Sequence, residues 1–294
     1  MGREVEGQRG ALGDARRAGH LEVRSQEHGR GGRGKLERNR AQAVLLSRGP
    51  CGALARRGGG QEQSRGGPKE RVWAIRRATT PVKIDGELGE FASEAPAQMV
   101  AEANRQAMVR LLYDDQCLYL TADVQDDSPW KNAGGDATAL FKTGDELSLW
   151  IGPSAGKRPP GVGDVRLLFA PSAGRVVVMA YRPKVVQGAK PVTFRSPSGM
   201  VTMDKVEELS DVRTAVKVFE KGYRLAAAIP WSAIGLSPGV ERFGLDLSVD
   251  FSDPAGQRNV ARLHWGRNGA AIVYDLPTEA RFEPESWGVG VLAR

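Results

Sequence analysis

The sequence predicts an all-β chain: an antiparallel β-sandwich of jelly-roll type behind a disordered N-terminal tail. Three observations carry this. From Trp73 onward, short β-patterned runs follow one another at a spacing of about 8–12 residues, split by Gly, Pro and Asp. Two of them, 146–151 and 243–251, alternate apolar and polar residues strictly, which in a strand puts one set on each face. No stretch of about ten residues sustains helical periodicity with caps.

In chain order, Val82-Lys83-Ile84 leads as a short strand into the turn pair Asp85-Gly86. Val109–Tyr113 and Cys117–Val124 make a hairpin across Asp114-Asp115, with Leu118, Leu120, Ala122 and Val124 on one face. A loop rich in acidic and turn residues runs from Gln125 to Lys142. Gly144-Asp145 then opens a strand in which Leu147, Leu149 and Ile151 face one way and Glu146, Ser148 and Trp150 the other. Val165–Phe169 and Val176–Tyr181 form a hairpin across Pro171-Ser172-Ala173-Gly174, and a Pro/Ser-rich connection follows from Pro183 to Met203. Val212–Phe219 and Tyr223–Ile229 pair across Glu220-Lys221-Gly222. Pro230–Gly235 has room for one helical turn, and the strands Phe243–Phe251, Val260–Trp265 and Gly288–Leu292 complete the sheet.

Charge divides the chain. Residues 1–70 hold 15 Lys+Arg and 8 Asp+Glu, a surplus of 7, which equals the net charge of the whole chain, 42 minus 35. Residues 71–294 are therefore neutral, and the folded domain lacks the basic footprint of a nucleic-acid binder. Few aromatic or β-branched residues lie in 1–70, so that segment cannot offset its ordering entropy. It reads as a disordered Arg/Gly-rich tail, or as residues upstream of the true start. The sandwich occupies 71–294.

Cys51 and Cys117 have no C-x-x-C spacing, and Cys117 suits a small buried position. No apolar run approaches the ~18–20 residues of a membrane span. The apolar patch 43–46 is shorter than a signal peptide's core of roughly seven. Nothing in the residues sets an oligomeric state.

The polar faces of the strands add up. If they lie in one sheet, its non-core face collects Glu146, Ser148, Trp150, Arg166, Asp246, Ser248, Asp250, Arg262 and His264. Carboxylates and guanidiniums in a planar array suit vicinal hydroxyls, which donate to one and accept from the other. An aromatic ring, from Trp150 or Trp265, offers a platform for the C–H face of a sugar. A mutually neutralising salt-bridge face would have the same composition. In the acidic loop, Asp126 and Asp127, with Asp145, supply the hard oxygen donors of a structural Ca²⁺ site, although the spacing is not that of an EF-hand.

Catalytic patterns are poor. His20 and His28 lie in the tail, which leaves His264 for any triad, and no Gly-x-Ser-x-Gly elbow accompanies it. Asp246 and Asp250, four residues apart on one strand, stand about 13 Å apart. That exceeds the roughly 5–9.5 Å of a glycosidase carboxylate pair. The expectation is a binding module and not an enzyme.

Several segments together resemble the family 9 carbohydrate-binding modules and their DOMON-like relatives, over about residues 80–294. They are Ile84-Asp85-Gly86-Glu87-Leu88-Gly89-Glu90, the hairpin Val109–Asp115 with Leu118-Tyr119-Leu120, and Val124-Gln125-Asp126-Asp127. Gly144-Asp145-Glu146-Leu147, Gly222-Tyr223, Ala228-Ile229-Pro230-Trp231 and Arg262-Leu263-His264-Trp265 complete the set. The resemblance implies a secreted or periplasmic β-sandwich that binds sugars between two tryptophans. Structural calcium and association with glycoside hydrolases such as xylanases go with it. By this resemblance Arg166 matches the sugar-contacting strand Arg, and Asp246, Ser248 and Asp250 match the polar residues of the penultimate strand. The family's strand Glu falls at Ser148. One of its tryptophans falls near Phe141-Lys142, and Trp265 and Tyr274 are nearest the other. The implied function is non-catalytic carbohydrate binding in glycan breakdown. A sandwich that has lost its sugar site and serves structure or protein interaction is the second reading. A DOMON-type haem domain, with His264 and Met108 or Met179 as axial ligands, is the third.

Overall fold

A computed structural model describes residues 70–102, 104–266 and 275–293. The tail expected over 1–70 lies outside the described residues, apart from Glu70, and so does Tyr274. The described strands are β1 (Val72–Arg77), β2 (Ala97–Glu102), β3 (Arg105–Tyr113), β4 (Cys117–Gln125), β5 (Glu146–Gly152), β6 (Val165–Ser172), β7 (Arg175–Arg182), β8 (Val192–Ser196), β9 (Gly199–Met203), β10 (Lys205–Glu208), β11 (Arg213–Phe219), β12 (Gly222–Pro230), β13 (Arg242–Ser252), β14 (Asn259–His264) and β15 (Gly288–Ala293). Two short helices, α1 (Trp231–Ile234) and α2 (Leu276–Ala280), interrupt them. The chain is all-β.

Thirteen strands join one curled sheet in the order β10-β7-β6-β5-β13-β15-β1-β3-β4-β12-β11, with β14 added on β13 and β2 on β3. One wing is β14, β13, β5, β6, β7 and β10; the other is β2, β3, β4, β12 and β11. Between them β15 runs antiparallel to β13, and β1 runs parallel to both β15 and β3. The two wings bury their inner faces in one cluster. Leu147, Leu149, Ile151, Leu167, Leu245 and Leu247 come from the first wing, and Val109, Leu111, Leu120, Leu225 and Ile229 from the second. This is the sandwich that strand alternation predicts.

Most local pairings follow the sequence. β3–β4, β6–β7 and β11–β12 are the three expected hairpins. The expected strand Val82–Ile84 does not form. That stretch runs as irregular chain over the outer face of the second wing, where Val82 and Ile84 pack with Phe91, Leu112 and Tyr119. The sequence reading also misses β1 and β2. β1 takes its partners at the far end of the chain and in β3, in parallel, with no turn chemistry to announce either.

The largest departure lies over the first wing. The segment 183–203, expected as a bare connection, forms the separate β8–β9 hairpin. Its Phe194 and Met203 join Phe141, Trp150, Leu168, Tyr181, Phe282 and Trp287 in a second apolar cluster on the wing's outer face. β5 is therefore buried on both faces along its whole length. Among the described residues no helix is long and apolar enough to cross a membrane.

Gly222 shows how tightly turn and sheet are fitted. Its φ is +113°, and a Cβ there would lie 2.0 Å from the Val124 carbonyl oxygen. Gly222→Ala is expected to cost about 2 kcal/mol or more, from backbone strain plus that clash. Chemical denaturation monitored by Trp fluorescence checks it; a loss below about 0.5 kcal/mol contradicts the geometry.

Candidate functional site

Register assembles the polar face. β13 lies between β5 and β14, which sets Glu146 opposite Asp250, Ser148 opposite Ser248 and Trp150 opposite Asp246. On the far side of β13, Arg262 stands opposite Asp250 and His264 opposite Ser248. Arg166 of β6 faces Trp150. Seven of the eight expected ligand residues, Ser148, Trp150, Arg166, Asp246, Ser248, Asp250 and Arg262, thus share one face. Trp265 does not.

That face is closed. All seven residues are buried under the second apolar cluster, and Arg166 is 1% exposed. The Arg166 guanidinium donates from Nε to Ser148 Oγ (2.7 Å), from Nη2 to Glu146 Oε1 (2.9 Å) and from Nη1 to the Glu279 carbonyl (3.2 Å). Ser148 Oγ donates on to Glu146 Oε2 at 2.5 Å. Three rings surround the cation: Trp150 at 4.5 Å from centroid to Cζ, Phe141 at 5.1 Å and Tyr181 at 5.7 Å. Trp150 Nε1 donates to Ser248 Oγ at 3.1 Å, and its ring meets Phe282 edge-on.

A second centre lies beside it. Arg262 grips Asp250 through Nε (2.6 Å) and Nη2, and Nη2 also reaches the Phe141 carbonyl at 3.1 Å. Asn259 Nδ2 donates to Asp250 Oδ2 at 3.0 Å and to the same carbonyl at 2.8 Å. Asp246 Oδ1 accepts from the backbone N–H of Leu247 (2.8 Å) and of Gly266 (2.6 Å), and His264 Nδ1 stands 3.4 Å from its other oxygen. Charges so placed hold the sheet and its cover together, as in the salt-bridge alternative.

Burial pushes Glu146 up to about 7, with Asp250 adding to the shift and Arg166 opposing it. Burial likewise raises Glu279 to about 7 against Arg262 and Lys142. It raises Asp145 to about 7 against the N–H groups of Lys131 and Ser252.

The expected calcium donors are each hydrogen-bonded within the protein. Asp145 accepts from the N–H groups of Ser252 (2.6 Å) and Lys131 (2.7 Å), one on each oxygen. Asp126 accepts from Asp127 N–H (2.7 Å), Ser128 Oγ (3.1 Å) and Arg105. Asp127 pairs with Arg105 at 2.8 Å and with Asn104. Among the described residues no three acidic, His or Cys side chains are grouped to hold a metal ion. The expected haem partners stand apart. Met179 on β7 stands four strand spacings from His264 on β14, about 19 Å, and Met108 lies in the other wing.

Trp265 builds a different place. It sits just past β14, with its N–H on the Leu247 carbonyl at 2.9 Å and its own carbonyl held by Arg71. Its ring lies against Gly288, where a Cβ would stand 2.5 Å away. It meets Trp73 of β1 at 5.4 Å between centroids and 48° between planes, and both rings are half-buried. They border an open cleft of about 510 Å³. Its polar wall is the Arg76–Glu94 pair (2.5 Å) with Ser93 Oγ 3.3 Å from Arg76 Nη2. Sequence reasoning misses Trp73, Arg76 and Glu94. The one available signal, an aromatic at the first turn from polar tail to β pattern, does not show that its partner stands 192 positions later.

No family model and no curated protein matches this chain. Among solved structures it is similar to a family 9 carbohydrate-binding module from Caldicellulosiruptor kristjanssonii in complex with cellotriose: 18% identity over 76% of this chain and 93% of that one, with a TM-score of 0.47. The complex of such a module from the same organism with glucose gives 17% identity, 76% and 96% coverage, and a TM-score of 0.47. Likeness at that level fixes neither fold nor ligand here; the sandwich stands on its strand register and core.

Two outcomes follow from the buried network. Arg166→Met strands Glu146 without its cation and is expected to cost about 3–5 kcal/mol, whereas adding Glu146→Gln recovers most of the loss. Urea denaturation of the single and double variants decides it, and equal losses in both would contradict the pairing. Glu279 and Asp145 hold protons in the folded state that the unfolded chain has released by about pH 5. Their contribution to stability therefore falls as pH rises from about 4.5 to about 7. A denaturation series from pH 5 to 8 should show the decline, less steep in Glu279→Gln; identical slopes in the two proteins would exclude Glu279 as a contributor.

Proposed function

We propose that residues 70–293 form a non-catalytic carbohydrate-binding module whose sugar site is the Trp73–Trp265 cleft, not the polar face of β5, β6, β13 and β14. The carrying observation is a partly exposed aromatic pair that borders the same cleft as an Arg–Glu pair. A pyranose needs both. Its C–H face packs on aromatic carbon, and adjacent hydroxyls donate to a carboxylate and accept from a guanidinium. Arg76 is 57% exposed on its side chain, so its remaining N–H groups stay accessible. On the buried face, by contrast, Arg166 already makes three hydrogen bonds within the domain and lies among three rings. The sequence resemblance to family 9 modules supports the class of ligand. A role in glycan breakdown outside the cell or in the periplasm belongs to the same proposal.

The closed, self-satisfied polar face favours one other reading: a sandwich retained for protein interaction with no sugar site left. A glycan array followed by calorimetry, with and without added calcium, separates the two. Carbohydrate binding predicts a sugar ligand whose affinity falls tenfold or more, about 1.4 kcal/mol, in Trp265→Ala and in Trp73→Ala, with each variant folded by circular dichroism. No sugar ligand on the array or in the calorimeter, or binding that both substitutions leave unchanged, overturns the proposal.

A further inference from the structure

Among the described residues, four strands of the main sheet have a single partner strand: β2, β10, β11 and β14. A free edge carries a row of unpaired N–H and C=O groups, which natural sheets shorten, bulge or cover. The β2–β3 and β13–β14 ladders are each interrupted by a register shift, at Val100–Glu102 and at Phe251–Ser252. β10 has four residues, and Lys190 bridges to it at Lys205. β11 has none of these devices. Its seven residues, Arg213–Phe219, pair with β12 without a shift and contain no Pro or Gly.

The hydrogen bonds of β12 show which backbone groups of β11 are free. Thr121 Oγ1 on β4 donates to the Leu225 carbonyl at 3.2 Å, and just past β12 the Trp231 N–H donates to the Gln116 carbonyl at 3.2 Å. Leu225 and its odd-numbered neighbours thus turn their backbone groups toward β4. Arg224, Ala226 and Ala228 turn the other way, toward β11, where register sets them opposite Lys217, Ala215 and Arg213. The N–H and C=O groups of Thr214, Val216 and Val218 therefore point outward, away from β12. Val218 and Phe219, 50% and 44% exposed, are large apolar side chains at this same edge.

We infer that β11 pairs edge to edge with β11 of a second copy, antiparallel about a two-fold axis at Val216. In that register the whole strand pairs. Thr214 meets Val218 of the second copy, Ala215 meets Lys217, and Arg213 meets Phe219. The exposed ring gains a guanidinium beside it, and Lys217, already held by Glu87, meets a methyl group in place of a charge. Moving the axis by one residue loses this match. An axis at Ala215 sets Arg213 against Lys217, and an axis at Lys217 sets the two Lys217 side chains against each other. Charge thus selects the register that uses the full strand, and the two-fold closes the interface on itself. β11 lies four places from β1 in the sheet order, so the pairing does not use the Trp73–Trp265 cleft and is independent of the carbohydrate reading.

Sedimentation of the full chain over a concentration series tests it, with a reversible dimer of twice 31.7 kDa as the expected result. Val218→Pro removes an N–H that β12 does not use, and is expected to weaken dimerisation at least tenfold with circular dichroism unchanged. Cross-linking reads the register, in a chain carrying Cys51→Ser and Cys117→Ala. Under oxidation Val216→Cys is expected to give a disulfide-linked dimer, because residues paired at the axis of a hydrogen-bonded antiparallel pair stand about 5.5 Å apart. Val218→Cys is expected not to, since its counterpart lies four residues along the second strand, about 13 Å away. If Val218→Pro unfolds the protein, the two cysteine variants decide. A chain that stays monomeric throughout leaves the edge to an extended peptide of another protein and overturns the self-pairing. A dimer that a folded Val218→Pro variant leaves intact, or equal cross-linking of the two cysteine variants, overturns it as well.

Discussion

A guanidinium buried among three aromatic rings governs this molecule. Arg166 is a full charge with 1% exposure, and such a charge persists only when paired and hydrogen-bonded. Glu146 supplies the counter-charge, Ser148 bridges the two, and a backbone carbonyl from α2 takes a third N–H. That last bond ties the sheet to its cover. The β8–β9 hairpin, the turn around Phe141, α2 and Phe282 all meet on the face where Arg166 lies. A layer that began as the polar side of a strand is thereby the interior of a three-layer arrangement.

This changes where a ligand can be met. Polar groups that suit sugar hydroxyls equally suit one another. In a sheet that brings Asp250 to Arg262 and Glu146 to Arg166, they satisfy themselves once water is excluded. A ligand would have to replace several hydrogen bonds at once and open an apolar cover. The Trp73–Trp265 end presents no such barrier. Its aromatic rings are partly exposed at the edge of the core, and Arg76 of its charged pair retains access to solvent.

Legibility in the sequence follows the range of the interaction. Leu147, Leu149 and Ile151 are on the core face that their alternation indicates, and the three hairpins β3–β4, β6–β7 and β11–β12 carry their turn residues between adjacent strands. The grouping of Ser148, Arg166, Asp246, Asp250 and Arg262 on one face was legible too, because period-two patterning holds in each strand separately. The cover was not. Phe194 and Met203 lie in short, turn-rich strands, in a stretch whose Pro and Ser content reads as loop. The Val82–Ile84 run was apolar enough for a strand, yet it packs by its side chains with no partner strand on its backbone.

The residues by themselves determined the fold class, the core face of each long strand and the collection of charges opposite it, because each is a matter of near neighbours along the chain. Whether that charged face meets solvent, and which aromatics stand together at an open edge, depended on pairings across the chain. β1 beside β15 and Trp73 beside Trp265 join segments about 200 residues apart. Burial of a polar face is set by what is laid over it, and no local pattern in β5 or β6 specifies the hairpin and helix that cover them.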